Sequence, residues 1–199
     1  MSKRLLIAVP ALLLAACTQV ISSDPDIGYL IQNPLFAERY AEEMVDGMVN
    51  LEIYEDPILE DGSKQKVVDA TKEEWLRIAK DARKAQRRGF KGGWTPVKVL
   101  TEGEVLYLDN VIYFDSQFDA LPGPSVHVFL SKMVDPREEG FPDEYAMDLG
   151  EMKTAYGAQR YSVPEVENPI EYNTVVLWDK KLEMLYTFSQ LSPMNDVER

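Results

Sequence analysis

The chain has 199 residues, one histidine, one cysteine and a formal net charge of −13 at pH 7. This acidity argues against a nucleic-acid-binding protein, because phosphates need a basic face, and against adsorption of the whole chain to anionic headgroups. One histidine and one cysteine also exclude metal sites built on several imidazoles or thiolates. We therefore predict no metal site and no bound cofactor.

Residues 1–16 have the order of a secretory signal peptide. Two basic residues precede an apolar run from Leu5 to Leu14, and small residues then lead to Cys17. The run is too short to span a bilayer as a helix, which needs about 20 residues. Its ending resembles the lipobox of bacterial lipoproteins, in which the cysteine is acylated and becomes the new N-terminus. The alternative is an ordinary cleaved signal with a chance cysteine.

A lipobox implies attachment to a membrane of the bacterial cell envelope through lipid on Cys17. Two acyl chains give stable anchoring, whereas one gives only marginal binding. Thr18 follows the cysteine. By resemblance to lipoprotein sorting, an aspartate there would retain the protein at the inner membrane, so we expect the outer membrane if the cell has one. Residues 17–33 are polar and are predicted to form a tether.

Residues 34–92 are predicted to be helical. Asn33 is a good N-cap and Pro34 suits the first position of a helix. Apolar residues then recur at the spacing of one helical face, which we expect to be packed in the core: Phe36, Tyr40, Met44 and Met48.

A second helix is predicted to begin at Thr71, because Thr71 and Glu74 have the spacing of a capping box. It should end at Gly89, a typical helix-ending residue. The Asp61-Gly62-Ser63 run is predicted to be a turn between the helices. The end of the second helix is strongly basic, with Arg77, Lys80, Arg83, Lys84, Arg87, Arg88 and Lys91.

Three interpretations of this basic cluster remain open. It is a solvated helix end whose cations suit the macrodipole, or a surface that docks on the acidic second half of the chain, or a contact for phosphate headgroups or an acidic partner.

Residues 93–199 are predicted to form an antiparallel β-sandwich or barrel, so the fold class is α+β. Short apolar or alternating runs are separated by turn residues, which is typical of these folds. The loop from Val134 to Asp143 is too polar and too rich in proline to be a strand. The predicted strands are Val97–Leu100, Glu104–Leu108, Val111–Phe114, Val126–Leu130, Thr174–Trp178 and Met184–Phe188.

Ordered blocks within this region resemble the DM-thirteen domain family, from about Thr95 to Leu191. An opening block includes Gly103-Glu104-Val105 and the run from Gly123 to Ser131, and a closing block is Tyr172-x-Thr174-Val175-Val176-Leu177-Trp178. The resemblance implies an all-β domain of electron-transfer type, found in some architectures beside haem-binding domains. The positions that carry the motif are Gly123, Pro124, Leu149, Gly150, Lys153, Gly157, Gln159, Tyr161, Pro164, Trp178 and Asp179.

This sequence departs from the family pattern at two positions. The family places a cysteine after the tryptophan of the closing block, where this chain has Asp179, and it usually has an aspartate where this chain has Ser125. A carboxylate forms no disulfide and no thiolate–metal bond. We expect Asp179 to be a hairpin-turn residue.

His127 is the candidate for cofactor binding. Strand alternation places it with Phe129 on one face and the neighbouring valines on the other. We expect a surface or hydrogen-bonded histidine; ligation of haem or a metal and Ser–His hydrolysis are the alternatives, and no nucleophile-elbow motif supports the latter. Five acidic residues could attract calcium but lack the spacing of a calcium loop, so we expect solvated surface: Asp135, Glu138, Glu139, Asp143 and Glu144.

The sequence therefore favours a lipid-anchored envelope protein whose β domain binds an envelope protein partner without catalysis. The alternative is an electron-transfer domain that works with a haem or another redox partner, as the family resemblance implies.

Overall fold

The computed structural model describes residues 26–138, 140–166, 168 and 171–194. Its helices precede its strands, so the predicted α+β class is confirmed. The helices are α1 (Ile27–Leu30), α2 (Pro34–Ile53) and α3 (Gly62–Gln86), with a 3-10 turn at Pro57–Glu60. Within the described residues, none of these helices is both long enough and apolar enough to cross a membrane.

The strands form two antiparallel sheets that pack as a sandwich, and the described residues contain no closed barrel. Sheet A has the order β10-β1-β3-β4-β7, and sheet B has the order β2-β9-β8-β5-β6. The strands are β1 (Phe90–Gly93), β2 (Thr95–Pro96), β3 (Glu104–Leu108), β4 (Val111–Phe114), β5 (Val126–Ser131), β6 (Met147–Glu151), β7 (Gln159–Ser162), β8 (Thr174–Asp179), β9 (Met184–Gln190) and β10 (Ser192–Pro193).

The main core lies between the two sheets. Successive side chains of a strand point to opposite faces, so each strand sends alternate residues inward. Those from β3 and β4 meet those from β5 and β8 in one apolar cluster. Its fully buried members include Val105, Ile112, Phe114, Val128, Leu130, Val175 and Leu177.

The outer face of sheet A is covered by the helices. Leu35 of α2 packs against Leu106 and Leu108 of β3, and all three are buried. Asn33 caps α2 as predicted, since its Oδ1 accepts from the Leu35 N–H at 3.1 Å. Its Nδ2 also donates to the Phe114 carbonyl at 2.7 Å. One side chain thus begins the helix and ties it to the sheet.

The outer face of sheet B is covered by the loop between β5 and β6. Met133 and Phe141 of this loop are buried against Phe129, Val176 and Phe188 of the sheet. As the composition predicts, no strand forms within residues 134–138 and 140–143. A loop thus occupies on sheet B the place that helices occupy on sheet A.

The predicted start of the second helix at Thr71 is wrong. The helix begins at Gly62, and Asp61 is its N-cap, accepting from the Ser63 N–H at 2.8 Å. An aspartate before glycine is typical of a turn, but the same carboxylate can cap a helix. The segment predicted as a turn is therefore the first turn of α3.

The predicted strand Val97–Leu100 is also wrong, because residues 97–99 form bends and Leu100 is not in a strand. Strand β1 instead crosses the predicted boundary at residues 92 and 93 and pairs with β3 and β10. A side chain at Gly92 would collide with the Gln190 carbonyl. Gly92 therefore allows the strands to pack closely, and it does not mark a boundary between the helical region and the sandwich.

The basic cluster is used in part within the chain. Arg83 pairs with Glu42 and Glu38 of α2. Arg88 lies 3.3 Å from Asp109, and Lys91 lies 2.7 Å from Glu104. The Arg88–Asp109 pair joins the end of the helical region to the turn between β3 and β4, in agreement with the docking interpretation, whereas the Lys91–Glu104 pair lies within sheet A, between β1 and β3.

Two further predictions concern the N-terminal segment. Helix α1 lies within the predicted tether, and the Arg160 guanidinium lies 4.2 Å from the centre of the Tyr29 ring. Residues 1–16 and Cys17 lie outside the described residues, so the signal peptide and its lipidation stay predictions.

Candidate functional site

A cleft of about 650 Å³ opens on the outer face of sheet B. The loop between β5 and β6 covers only part of β5 and β8, and the cleft lies beside the part that it leaves open. Its apolar walls come from Phe129 of β5, Trp178 of β8, and Phe141, Pro142 and Ala146 of the loop. The cleft is therefore built by two central strands and one covering segment.

The aromatic side chains of the cleft are in mutual contact. The Phe129 and Phe141 rings lie 5.3 Å apart at an interplanar angle of 87°, and the Phe141 and Trp178 rings lie 5.5 Å apart at 63°. Such edge-to-face contacts are favourable beyond the area they bury. Phe129 and Phe141 are buried, whereas Trp178 is half-buried. The rings thus form an ordered aromatic wall with one partly exposed member.

A network of charges lies at one side of this wall. Asp148 of β6 accepts from His127 Nδ1 at 2.9 Å, from Lys180 Nζ at 3.0 Å and from the Gly150 N–H at 2.9 Å. Burial acts to raise the pKa of Asp148, but these hydrogen bonds outweigh it and hold the pKa below its ordinary value. The histidine is hydrogen-bonded, as predicted.

Two other carboxylates line the cleft. One oxygen of Asp143 is buried, and no group within the described residues forms a hydrogen bond with it. Glu183 is exposed and follows Lys180 in the turn between β8 and β9. Buried polar atoms are nearly always hydrogen-bonded. The Asp143 oxygen is therefore the unusual polar atom of this cleft.

Asp179 faces the other way, into the sandwich. Its Oδ1 accepts from the N–H groups of Lys181 at 2.9 Å and Leu182 at 3.0 Å, and its Oδ2 accepts from the Ser125 N–H at 3.3 Å. The carboxylate thus stabilises the turn that follows β8 and holds the loop before β5. The sequence predicts Asp179 in the hairpin turn itself, but it is the last residue of β8 and pairs with Val126 and Met184. The side chain is fully buried.

The motif glycine Gly123 meets Asp179 at this end of the sandwich. A side chain at Gly123 would collide with the Tyr186 hydroxyl and the Asp179 carboxylate. Burial, followed by the charge of Asp179, raises the pKa of Tyr186. These residues hold strands and loops together in the interior and do not reach the cleft.

A second group of motif residues forms around Tyr161. Its hydroxyl donates to Gln159 Oε1 at 2.5 Å and accepts from the Lys153 N–H at 3.0 Å. Burial raises the pKa of Tyr161 to about 12. Gly150 and Gly157 have φ angles of +108° and +78°, which favour glycine. The group shapes the connection from β6 to β7.

The remaining motif positions are spread over the domain. Leu149 packs against the main core, and Pro124 and Pro164 are exposed on loops. Of the residues singled out from sequence, the structure brings His127, Asp143 and Trp178 to the cleft region. It does not bring Asp179 or the Tyr161 group there.

Sequence reasoning missed Asp148 and Lys180 as parts of this site, and it missed Phe141. Alternation correctly placed His127 and Phe129 on one face, and Trp178 follows the same rule on β8. The residues that contact this face, Asp148 and Phe141, come from β6 and from the covering loop. Their positions depend on tertiary packing, which local sequence patterns do not show.

The acidic residues considered for calcium do not converge. Among the described residues, no group of three histidine, cysteine, aspartate or glutamate side chains could hold a metal ion. Asp135 is paired with Arg137 at 2.5 Å. Glu139 lies outside the described residues.

Fold and site together define a β-sandwich domain with helices on one face and an aromatic cleft on the other. Residues 96–191 match the model of the family described as Electron transfer DM13. The resemblance read from the sequence blocks is thereby confirmed. No curated protein and no solved structure matches the chain.

Proposed function

We propose that this protein is a lipid-anchored component of the bacterial cell envelope whose DM13 domain binds a partner protein through the cleft, without catalysis. The observation that carries the proposal is the aromatic wall of Phe129, Phe141 and Trp178 on the outer face of sheet B. Aromatic residues at a concave surface are typical centres of protein–protein binding.

The position of the family cysteine supports a binding function. Asp179 replaces it, and its carboxylate accepts three backbone N–H groups in the interior. A carboxylate in this position stabilises a turn and provides no thiol for exchange. The neighbouring Trp178 faces the cleft, so the exposed chemistry of β8 is aromatic.

Site-specific photo-crosslinking in the native host tests partner binding. A photoreactive residue at Leu182, which is exposed in the turn beside the cleft, should crosslink to a discrete envelope protein. Trp178→Ala should abolish the product. The matched control is the same photoreactive residue at Tyr54, exposed at the far end of α2, which should not give it. A product that survives Trp178→Ala would refute binding through the cleft.

Lipid on Cys17 is the second part of the proposal. Two or more acyl chains suffice for stable anchoring. The protein should incorporate labelled palmitate and fractionate with membranes, with the outer membrane favoured if the cell has two. Cys17→Ser should abolish labelling, and Thr18→Ser should leave it intact. An unacylated soluble wild-type protein in the native host would refute the anchor.

The alternative function is electron transfer with a haem or another redox partner. Its support is the family match and one feature of the site. His127 directs Nδ1 at the Asp148 carboxylate, and histidine ligands of metals commonly hold a carboxylate in this way. Protein purified from its native envelope distinguishes the two functions. A stoichiometric chromophore that is lost on His127→Ala, with Asp109→Asn as control, would favour electron transfer.

A further inference from the structure

We infer that the cleft on sheet B binds an arginine side chain of the partner protein. This inference deepens the proposed function, because it names the chemistry that the partner must present. It rests on three features of the described residues: the aromatic wall, the excess of carboxylates around it, and the unpartnered oxygen of Asp143.

The aromatic wall suits a planar cation. A guanidinium is attracted to the face of an aromatic ring, and tryptophan gives the strongest interaction of the three aromatic side chains. Trp178 is half-buried, and its ring is held by Phe141 at 5.5 Å. A ring held in this way loses little conformational freedom when a ligand stacks on it.

The charges around the wall are predominantly negative. Asp143, Asp148 and Glu183 line the cleft, and among the described residues that line it Lys180 is the single cation. Lys180 is engaged by Asp148 at 3.0 Å. The cleft thus repels an anionic partner and favours a cationic one.

Asp143 provides a specific partner for the cation. Its carboxylate lines the cleft, and no donor in the described part of the chain reaches its buried Oδ1. Because this oxygen is shielded from solvent, a local movement of the loop must accompany binding, and a ligand donor would then recover part of the free energy that the unpaired oxygen costs. Arginine fits better than lysine, because a guanidinium donates two parallel hydrogen bonds to a carboxylate, stacks on rings and is less strongly hydrated than an ammonium.

The test uses the full chain labelled with ¹⁵N and carrying Cys17→Ser, so that lipid does not contribute to the spectra. The probes are the capped tripeptide Ac-Ala-Arg-Ala-NH2 and its citrulline analogue, which keeps the shape and loses the charge. The readout is the indole N–H signal of Trp178, assigned from Trp178→Phe. The arginine peptide should shift this signal saturably, and the citrulline peptide should bind about tenfold more weakly.

Variants then locate the contact. Asp143→Asn should weaken arginine-peptide binding about fivefold, and Glu183→Gln, on the exposed turn, should weaken it to a smaller extent. Glu74→Gln removes the same charge from exposed α3 and is the matched control, which should leave binding unchanged. Equal binding of the two peptides, absence of saturation, or unchanged affinity in both cleft variants would overturn the inference.

The peptide-binding test and the crosslinking test can fail independently of each other. Crosslinks from Leu182 that depend on Trp178, without binding of the arginine peptide, would leave partner binding intact and refute only the arginine inference. Charge-dependent peptide binding without any crosslink would support the cleft chemistry and refute a protein partner in the native envelope.

Discussion

The two sheets of the sandwich both have apolar outer faces, but the chain covers them differently. On sheet A, α2 and α3 lie over Leu106 and Leu108, and Asn33 joins α2 to β4 through the Phe114 carbonyl. On sheet B, the loop between β5 and β6 buries Val176 and Phe188 and leaves Trp178 partly exposed beside an open cleft. One face is closed, and the other keeps an opening.

The difference indicates which face binds a partner. Apolar surface that a fold leaves uncovered is typical of interaction sites. A sheet face closed by helices contributes mainly to stability, and a face covered by a loop can combine stability with binding, because loops present side chains at its edge. This division of roles can be tested by removing the cover of sheet A and by truncating one side chain on each outer face.

Removal of the helices should have the largest effect. A chain that begins at Phe90 would expose Leu106 and Leu108, which are 0% and 6% exposed in the full chain. We expect it to lose cooperative unfolding and dispersed NMR signals, because an apolar face of a sheet needs cover. The control is a chain that begins at Asp26, which should retain both.

A sharp urea transition with native dispersion in the shorter chain would contradict this expectation. It would show that the sandwich folds without its helical layer. The helices on sheet A would then not be needed for stability.

Truncation of one residue on each outer face should separate their roles. Leu106→Ala should lower the free energy of unfolding by about 3 kcal/mol, as is typical for a buried leucine. Trp178→Ala should cost about 1 kcal/mol, because the ring is only half-buried. Urea unfolding measures both. An equal or larger loss for Trp178→Ala would mean that the cleft wall is primarily structural.

Much of this architecture could be predicted from the sequence. Short apolar or alternating runs placed β3, β4, β5, β8 and β9 correctly, because each strand has the apolar residues that a buried face requires. The Asn33-Pro34 pair correctly placed the start of α2. These signals are local, and each depends on a few neighbouring residues.

The features that escaped prediction depend on contacts distant in sequence. β1 contains Gly92 and Gly93 and has no alternation of its own; its pairing with β3 and β10 makes it a strand. The cleft needs β6 and the covering loop to bring Asp148 and Phe141 to Trp178. No local sequence pattern predicts that these three residues lie close together.

Replacement of Asp179 should have an effect of intermediate size on stability. Asp179 follows the cleft residue Trp178 in sequence, but its side chain is buried in the interior of the sandwich. Asp179→Asn should lower the free energy of unfolding by about 2 kcal/mol, because the amide places a donor against the Ser125 N–H. Urea unfolding measures the loss, with Asp46→Asn on the exposed face of α2 as the control. A second measurement uses Asp179→Cys, whose thiol should resist thiol reagents in the folded state.

Rapid labelling of that cysteine would show that the position opens to solvent. The position of the family cysteine would then be accessible at the surface, and this would favour the electron-transfer alternative.

The smallest expected effect is the pH dependence of the cleft network. The hydrogen bonds to His127, Gly150 and Lys180 outweigh burial and lower the pKa of Asp148 from its ordinary value of 3.8. The carboxylate therefore stabilises the fold above about pH 4, and this contribution is lost as the pH falls below 3.8 toward the lower folded-state value.

Asp148→Asn should accordingly be less stable than the wild type at pH 7 and equal to it at low pH. The difference at pH 7 should remain below about 1 kcal/mol, because the side chain is 32% exposed and solvent screens its partners. Urea unfolding at both pH values, with Glu74→Gln as a control for lost charge, gives the comparison. A difference that persists unchanged at low pH would mean that Asp148 stabilises the site through its shape and hydrogen bonds, with no contribution from its charge.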